Sequence, residues 1–276
     1  MIVAEEGAAA IMCLALAASV CVGCGGGGGT TSPPTSPTPG SGSGVTACSV
    51  IGGTVPVSAS ILHGTVCSTA DSSIVLVNLR DKDGQPLGSC SGTVIASRAV
   101  LTAAHCLVGD TAAVRIFPGT GSEVLAASFQ AFPLYRENEP SNMDVGVVLT
   151  AQDLPRSPIR LLVSRDARVG EQAVLAGWGK DENGNGTVLR AGTTTVSVVG
   201  ATFLQTQFSS TNSSVCSGDS GGPLLLSEGG VWAVGGVTSA TDVGGSCAIG
   251  SNYFVNVRNP GIMSFILGLV PNAGRQ

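Results

Sequence analysis

With 276 residues, 43% of them hydrophobic, the chain has room and apolar side chain for one large domain or two small ones. Forty glycines against four methionines, with many short Val, Thr and Ser runs, point away from a helical bundle and toward a turn-rich all-β chain. A net charge of −5 carried with only 13 Lys and Arg excludes a nucleic-acid partner, which needs a concentrated basic face to neutralise phosphates.

In chain order, residues 8–23 are apolar over a stretch too short for an ordinary membrane span and suited to the core of a secretory signal. Residues 1–23 therefore read as a leader to be removed. Cys24 and Gly25–Gly29 follow, and the order of small residue, cysteine and glycine run resembles the lipobox of bacterial lipoproteins. That resemblance implies a lipid on Cys24 as the mature first residue and anchoring at the cell envelope. A plain signal peptide, with release as a secreted protein, is the alternative. Two features depart from the lipoprotein pattern: Cys21 stands where leucine is usual, and the leader carries Glu5 and Glu6 with no Lys or Arg.

Residues 24–45 continue as a Gly, Pro and Ser-rich tether with no large apolar side chain to bury. Residues 46–60 read as a propeptide-like segment and 61–270 as the folded domain, with 271–276 as a tail. Strand-sized apolar runs are predicted at Ser73–Leu79, Ala113–Phe117, Asp144–Leu149, Gln172–Trp178, Thr193–Val199, Val231–Thr238 and Tyr253–Val257. Ile262, Phe265, Ile266 and Leu269, spaced i, i+3, i+4, i+7 after Pro260 and Gly261, predict one short closing helix. Cys48, Cys67, Cys90, Cys106, Cys216 and Cys247 form an even set without a CxxC pair, and the only histidines are His63 and His105. Six cysteines so placed fit an oxidised framework better than a zinc site, and neither metal nor cofactor is expected.

Leu101–Cys106 reads LTAAHC and Cys216–Leu224 reads CSGDSGGPL. Together they closely resemble the trypsin-like serine protease family, over about residues 61–269. The resemblance implies two six-stranded antiparallel barrels with the active site between them, and an endopeptidase that hydrolyses protein or peptide substrates through an acyl-enzyme. A serine hydroxyl is a poor nucleophile at neutral pH and needs a base, which points to Ser220 with His105. Asp144, at the head of a hydrophobic run, matches the family's third position in context and in chain order. It would fix the imidazole tautomer and stabilise the imidazolium. Gly218 and Ser220 match the positions whose N–H groups bind the developing oxyanion.

In the family the position of Asp219 accepts an ion pair from a new N-terminus made by proteolysis. Ile61-Leu62-His63-Gly64 resembles the family's mature start, so a zymogen cut after Ser60 by an activating protease is expected; Val50-Ile51-Gly52-Gly53 is a rival start. The resemblance also implies disulfides Cys90–Cys106 and Cys216–Cys247, which leaves Cys48 for Cys67. The pocket base falls on Ser214, which carries no charge, with Asn252 as the opposite wall. Thr238, Ser239 and Ala240 match the substrate strand, Ser239 standing where tryptophan is common and Ala240 where glycine is. Such a pocket favours small to medium apolar P1 side chains over Lys or Arg, because an unpaired cation is costly to desolvate. Two competing readings fit less well: a serine esterase, whose GxSxG elbow does not match GDSGG among short strands, and a binding protein on a dead protease fold, against which the full set of catalytic residue types argues.

Overall fold

A computed structural model describes residues 46–53, 64–137, 143–181, 183–209, 211–241, 247 and 250–276. The leader, the tether, Cys24 and the Ile61 start lie outside the described residues. What is seen of the segment before residue 61 is built into the fold. A short helix α1 (Ala47–Val50), capped by Thr46, buries Cys48, and Ile51 behind it is fully buried. Cys48 is bonded to Cys67, just after strand β1 (Thr65–Val66).

Strands β2 (Ile74–Arg80), β3 (Pro86–Ala96), β4 (Ala99–Thr102), β5 (Ala113–Phe117), β6 (Val124–Ala131) and β7 (Gly146–Thr150) close into an antiparallel barrel in the order β2-β3-β4-β7-β6-β5. The second barrel follows β8 (Arg160–Leu161), a short addition parallel to β13. It is formed by β9 (Gln172–Gly177), β10 (Arg190–Val199), β11 (Phe203–Gln207), β12 (Pro223–Glu228), β13 (Val231–Thr241) and β14 (Ser251–Asn256). These pair in the order β10-β11-β14-β13-β12-β9, and β9 returns to β10. Helix α2 (Pro260–Leu269) closes the chain, with Asn259 accepting from the N–H groups of Gly261 and Ile262. The last six residues do not leave the fold: Leu161 N–H donates to Gly274 O, Leu161 O accepts from Gln276 N–H, and Ala273 is buried.

Strands β2 and β12 are apolar on both faces because each face has its own core. In β2, Val75, Val77 and Leu79 point into the first barrel, while Ile74 and Leu76 join a cluster between the barrels. In β12, Leu224 and Leu226 fill the second barrel, and Leu225 faces the shared cluster. The period-2 alternation of strand side chains distributes one run between two cores. Each such Leu, Ile or Val contributes roughly 1.5–3 kcal/mol when fully buried.

Candidate active site

Register places the first pair of functional groups. In the β4–β7 ladder Thr102 pairs with Gly146, so the exit of β4 and the entry of β7 share an edge. His105 lies just past that edge in a single 3-10 turn, Ala104–Cys106, and Asp144 just before it. Asp144 Oδ1 accepts the His105 backbone N–H at 2.8 Å and Oδ2 meets His105 Nδ1 at 2.7 Å. Asp144 is 1% exposed, whereas the His105 side chain keeps 34% of its surface. Burial alone would lower the imidazole pKa, but the hydrogen bond and the charge of Asp144, aided by Glu137, outweigh it and raise it above the usual histidine value. Burial, with the same two carboxylates, pushes the nearby Tyr135 phenol up to about 12.

A third donor reaches the carboxylate: Ser239 Oγ bonds Asp144 Oδ2 at 2.7 Å. Sequence reasoning gives Ser239 only a place in the pocket wall. The β13–β14 register slips between Thr238 and Ala240, so Ser239 sits in a bulge, a distortion that re-aims a side chain. Regular alternation gave no sign of it.

Ser220 sits in the turn before β12. Its carbonyl accepts from Ser91 N–H at 2.8 Å, and Gly221 N–H donates to Thr238 at 2.8 Å. A Cβ on Gly221 would lie 2.1 Å from Thr102 Oγ1 and 2.7 Å from Ala103 N, so only glycine lets the turn reach the loop that carries His105. Gly218 has φ +96°, a conformation that disfavours any other residue. Among the described residues, the N–H groups of Gly218 and Ser220 have no acceptor, and Ser220 Oγ makes no hydrogen bond to His105. Such contacts are often loose without substrate and tighten in the complex. The disulfides Cys90–Cys106 and Cys216–Cys247 brace the His105 turn and the Ser220 loop.

Asp219 is turned inward and 3% exposed. Its oxygens accept the N–H groups of Gly179 and Cys216, each at 2.8 Å. Burial raises its pKa to about 6 against those two bonds and the charge of Arg190. Arg190, itself buried, donates to Asp181 at 3.0 Å and to the carbonyl of Gly179 at 3.0 Å.

A cavity of about 420 Å³ opens beside Ser220, lined by Lys180, Val215, Ser217, Thr238, Ala240 and Thr241 among others. Ser214 and Asn252 are not among its lining residues. They are buried and bonded to each other, Ser214 Oγ donating to Asn252 Oδ1 at 2.8 Å, while Asn252 Nδ2 donates to Thr206. No carboxylate is among the described lining residues, and Lys180 adds a positive charge at the cavity.

A family model described as Trypsin matches residues 62–266. Chymotrypsin-2 of Vespa crabro is 30% identical over 195 residues, covering 62% of this chain and 85% of its own length. Serine protease SP24D of Anopheles gambiae is 32% identical over 161 residues, covering 51% of this chain and 59% of its own. A solved structure of HL collagenase superposes with a TM-score of 0.64 at 22% identity, over 76% of this chain and 99% of that one, which establishes the shared fold. The two curated relatives are insect proteins, which lends no support to the bacterial origin that the lipobox resemblance implies.

Proposed function

The chain belongs to the trypsin family and is a serine-type endopeptidase; from that premise we propose that Ser220, His105 and Asp144 form its catalytic triad. Ser220 Oγ attacks the scissile carbonyl as His105 Nε2 takes its proton, and the new oxyanion binds the N–H groups of Gly218 and Ser220. Collapse expels the amine, which takes the proton from His105 and leaves an acyl-serine. Water, deprotonated by His105, then releases the acid and restores the serine. The roles follow the serine-protease template. The observation that carries the reading is the buried Asp144 carboxylate bonded to both the backbone N–H and the ring Nδ1 of His105. A fluorophosphonate probe should label the matured protein once, at Ser220, and Ser220→Ala should abolish labelling. Labelling that persists in that variant would assign the nucleophile elsewhere.

The P1 preference we propose is for small to medium apolar side chains. Support comes from the absence of a carboxylate among the described lining residues, and from Lys180, which disfavours a second cation. A peptide library in which Arg outperforms Ala, Val and Leu overturns this preference.

Maturation by a second protease is proposed to release the Ile61 amine for Asp219. The inward, desolvated carboxylate supports that reading, since its charge lacks a full counter-ion. The Cys48–Cys67 disulfide would then hold the upstream segment on the cleaved enzyme. Export is proposed from the leader and the three disulfides, with lipid attachment at Cys24 as its finer form. Mass spectrometry of the mature N-terminus tests both, since lipid at Cys24 and a cut before Ile61 give different masses.

A further inference from the structure

We propose that Ser91 is a positioning residue for the oxyanion turn, a role that rests on the assignment of Ser220 and Gly218 above. Ser91 is fully buried in β3, yet each of its polar groups is engaged outside the ladder of its own sheet. Its N–H donates to Ser220 O at 2.8 Å, and its Oγ donates to Gly218 O at 2.8 Å. The same Oγ accepts Trp178 N–H at 2.9 Å, and its carbonyl accepts Thr102 Oγ1 at 2.8 Å.

The direction of the hydroxyl proton is forced. Trp178 N–H can only donate, so it takes an oxygen lone pair, and the single O–H must point at Gly218 O. One side chain thus grips the carbonyl of the residue whose N–H would bind the oxyanion, while its backbone grips the carbonyl of the nucleophile. Gly218 needs such a grip. At φ +96° with no Cβ, its flanking peptides have more rotational freedom than at any other residue type, and an unheld carbonyl could swing toward the crevice.

The neighbouring residue shows the other half of the device. Cys90, on the opposite face of β3, is bonded to Cys106 beside His105. Two consecutive residues of one strand therefore hold the base turn of the first barrel and the nucleophile turn of the second. Both turns are thus braced from this one strand.

The test compares the matured wild-type protein with Ser91→Ala and Ser220→Ala. Active sites are titrated with a fluorophosphonate, so that kcat is counted per reactive serine. Ser91→Ala is expected to lower kcat about tenfold with KM unchanged, because the lost hydrogen bond acts on the transition state and not on substrate binding. If that variant does not fold, Ser91→Gly removes the same hydroxyl and takes its place. An unchanged kcat per titrated site, with only a lower Tm, overturns the positioning role, as does failure of both variants to fold. A wild-type protein that does not react with the probe instead overturns the assignment of Ser220, and this inference with it.

Discussion

The two barrels carry their halves of the proposed site by different physics. In the first, His105 and Asp144 stand at the rim of a closed six-stranded barrel whose interior is aliphatic, and the pair is complete: every contact that orients the imidazole is local to that rim apart from Ser239. The second barrel presents Ser220 on a glycine-rich turn laid over buried polar and charged groups. Asp219, Arg190, Asp181, Ser214 and Asn252 are all buried there. An apolar rim holds its geometry through packing, whereas buried polar groups hold theirs only while every partner is in place. The base half of the site is therefore set by folding, and the nucleophile half is conditional on its network.

The largest effect should come from the side that is already set. Asp144→Asn keeps the shape but presents an amide to Nδ1, favouring the wrong tautomer, and the family template puts such a loss at about 10⁴-fold in kcat. The two influences of Asp144 that raise the His105 pKa are lost with the charge, leaving only that of Glu137. Wild-type kcat/KM should fall as pH drops through that raised value, and in the variant the acid limb should move to lower pH. Tm and N-terminal maturation should change little. A variant that loses maturation together with rate would erase the contrast between the barrels.

On the conditional side, Arg190→Met removes the donor that links Asp181 to the carbonyl of Gly179 and leaves Asp181 without its cation. Breaking a buried pair costs far more than an exposed one, and Tm should fall by roughly 10 °C. Activity should fall with it, because Gly179 N–H holds Asp219 and through it the oxyanion turn. Calorimetry of the two variants side by side reads this directly. If Arg190→Met leaves Tm intact, the second barrel is no more conditional than the first.

A smaller, pH-dependent effect belongs to Asp219. Its folded pKa of about 6 lies above the ordinary 3.8, so the folded chain binds the proton more tightly than the unfolded one. Its contribution is fully present below the ordinary value and is lost as pH rises through about 6, amounting to up to about 3 kcal/mol. Denaturant unfolding of the uncut Ser220→Ala protein between pH 4 and 7, compared with the same protein carrying Asp219→Asn, isolates the slope. Cleavage before Ile61 should reverse its sign, since an ammonium partner favours the charged carboxylate.

How much of this was legible in the sequence follows the same division. The short apolar runs and the absence of helical periodicity before residue 260 announced the strands, and both barrels follow from them through the family resemblance. LTAAHC and GDSGG led to turns that the fold packs together, Gly221 lying against Thr102 and Ala103, because dense motifs mark turns whose geometry tolerates few other residues. Asp144, in a plainer context, rested on chain order, and the β4–β7 register supplies the reason it meets His105. What could not be read were contacts made by irregularity or across barrels. Ser91 and Arg190 look like ordinary strand residues, and Ser214 and Asn252 are adjacent only after β14 folds back toward the Cys216 loop. A bulge leaves no signature in alternation, so the second function of Ser239 was invisible.

Ser239 tests the comparison at its seam, since it is the second barrel's hydroxyl on the first barrel's carboxylate. Ser239→Ala leaves Asp144 charged and still bonded twice to His105, so the loss should be near that of one hydrogen bond to a charged group, about 1.5 kcal/mol or roughly tenfold in kcat/KM. With one donor fewer, more of the carboxylate's charge is directed at Nδ1–H. The acid limb of kcat/KM should then shift to higher pH, opposite to the shift in Asp144→Asn, and Ser239→Thr, which keeps the hydroxyl, should restore it. A purely structural serine would lower rate or Tm without moving that limb. A limb that stays in place would leave the base half wholly self-contained within the first barrel, and the division between the barrels would be sharper than the hydrogen bond implies.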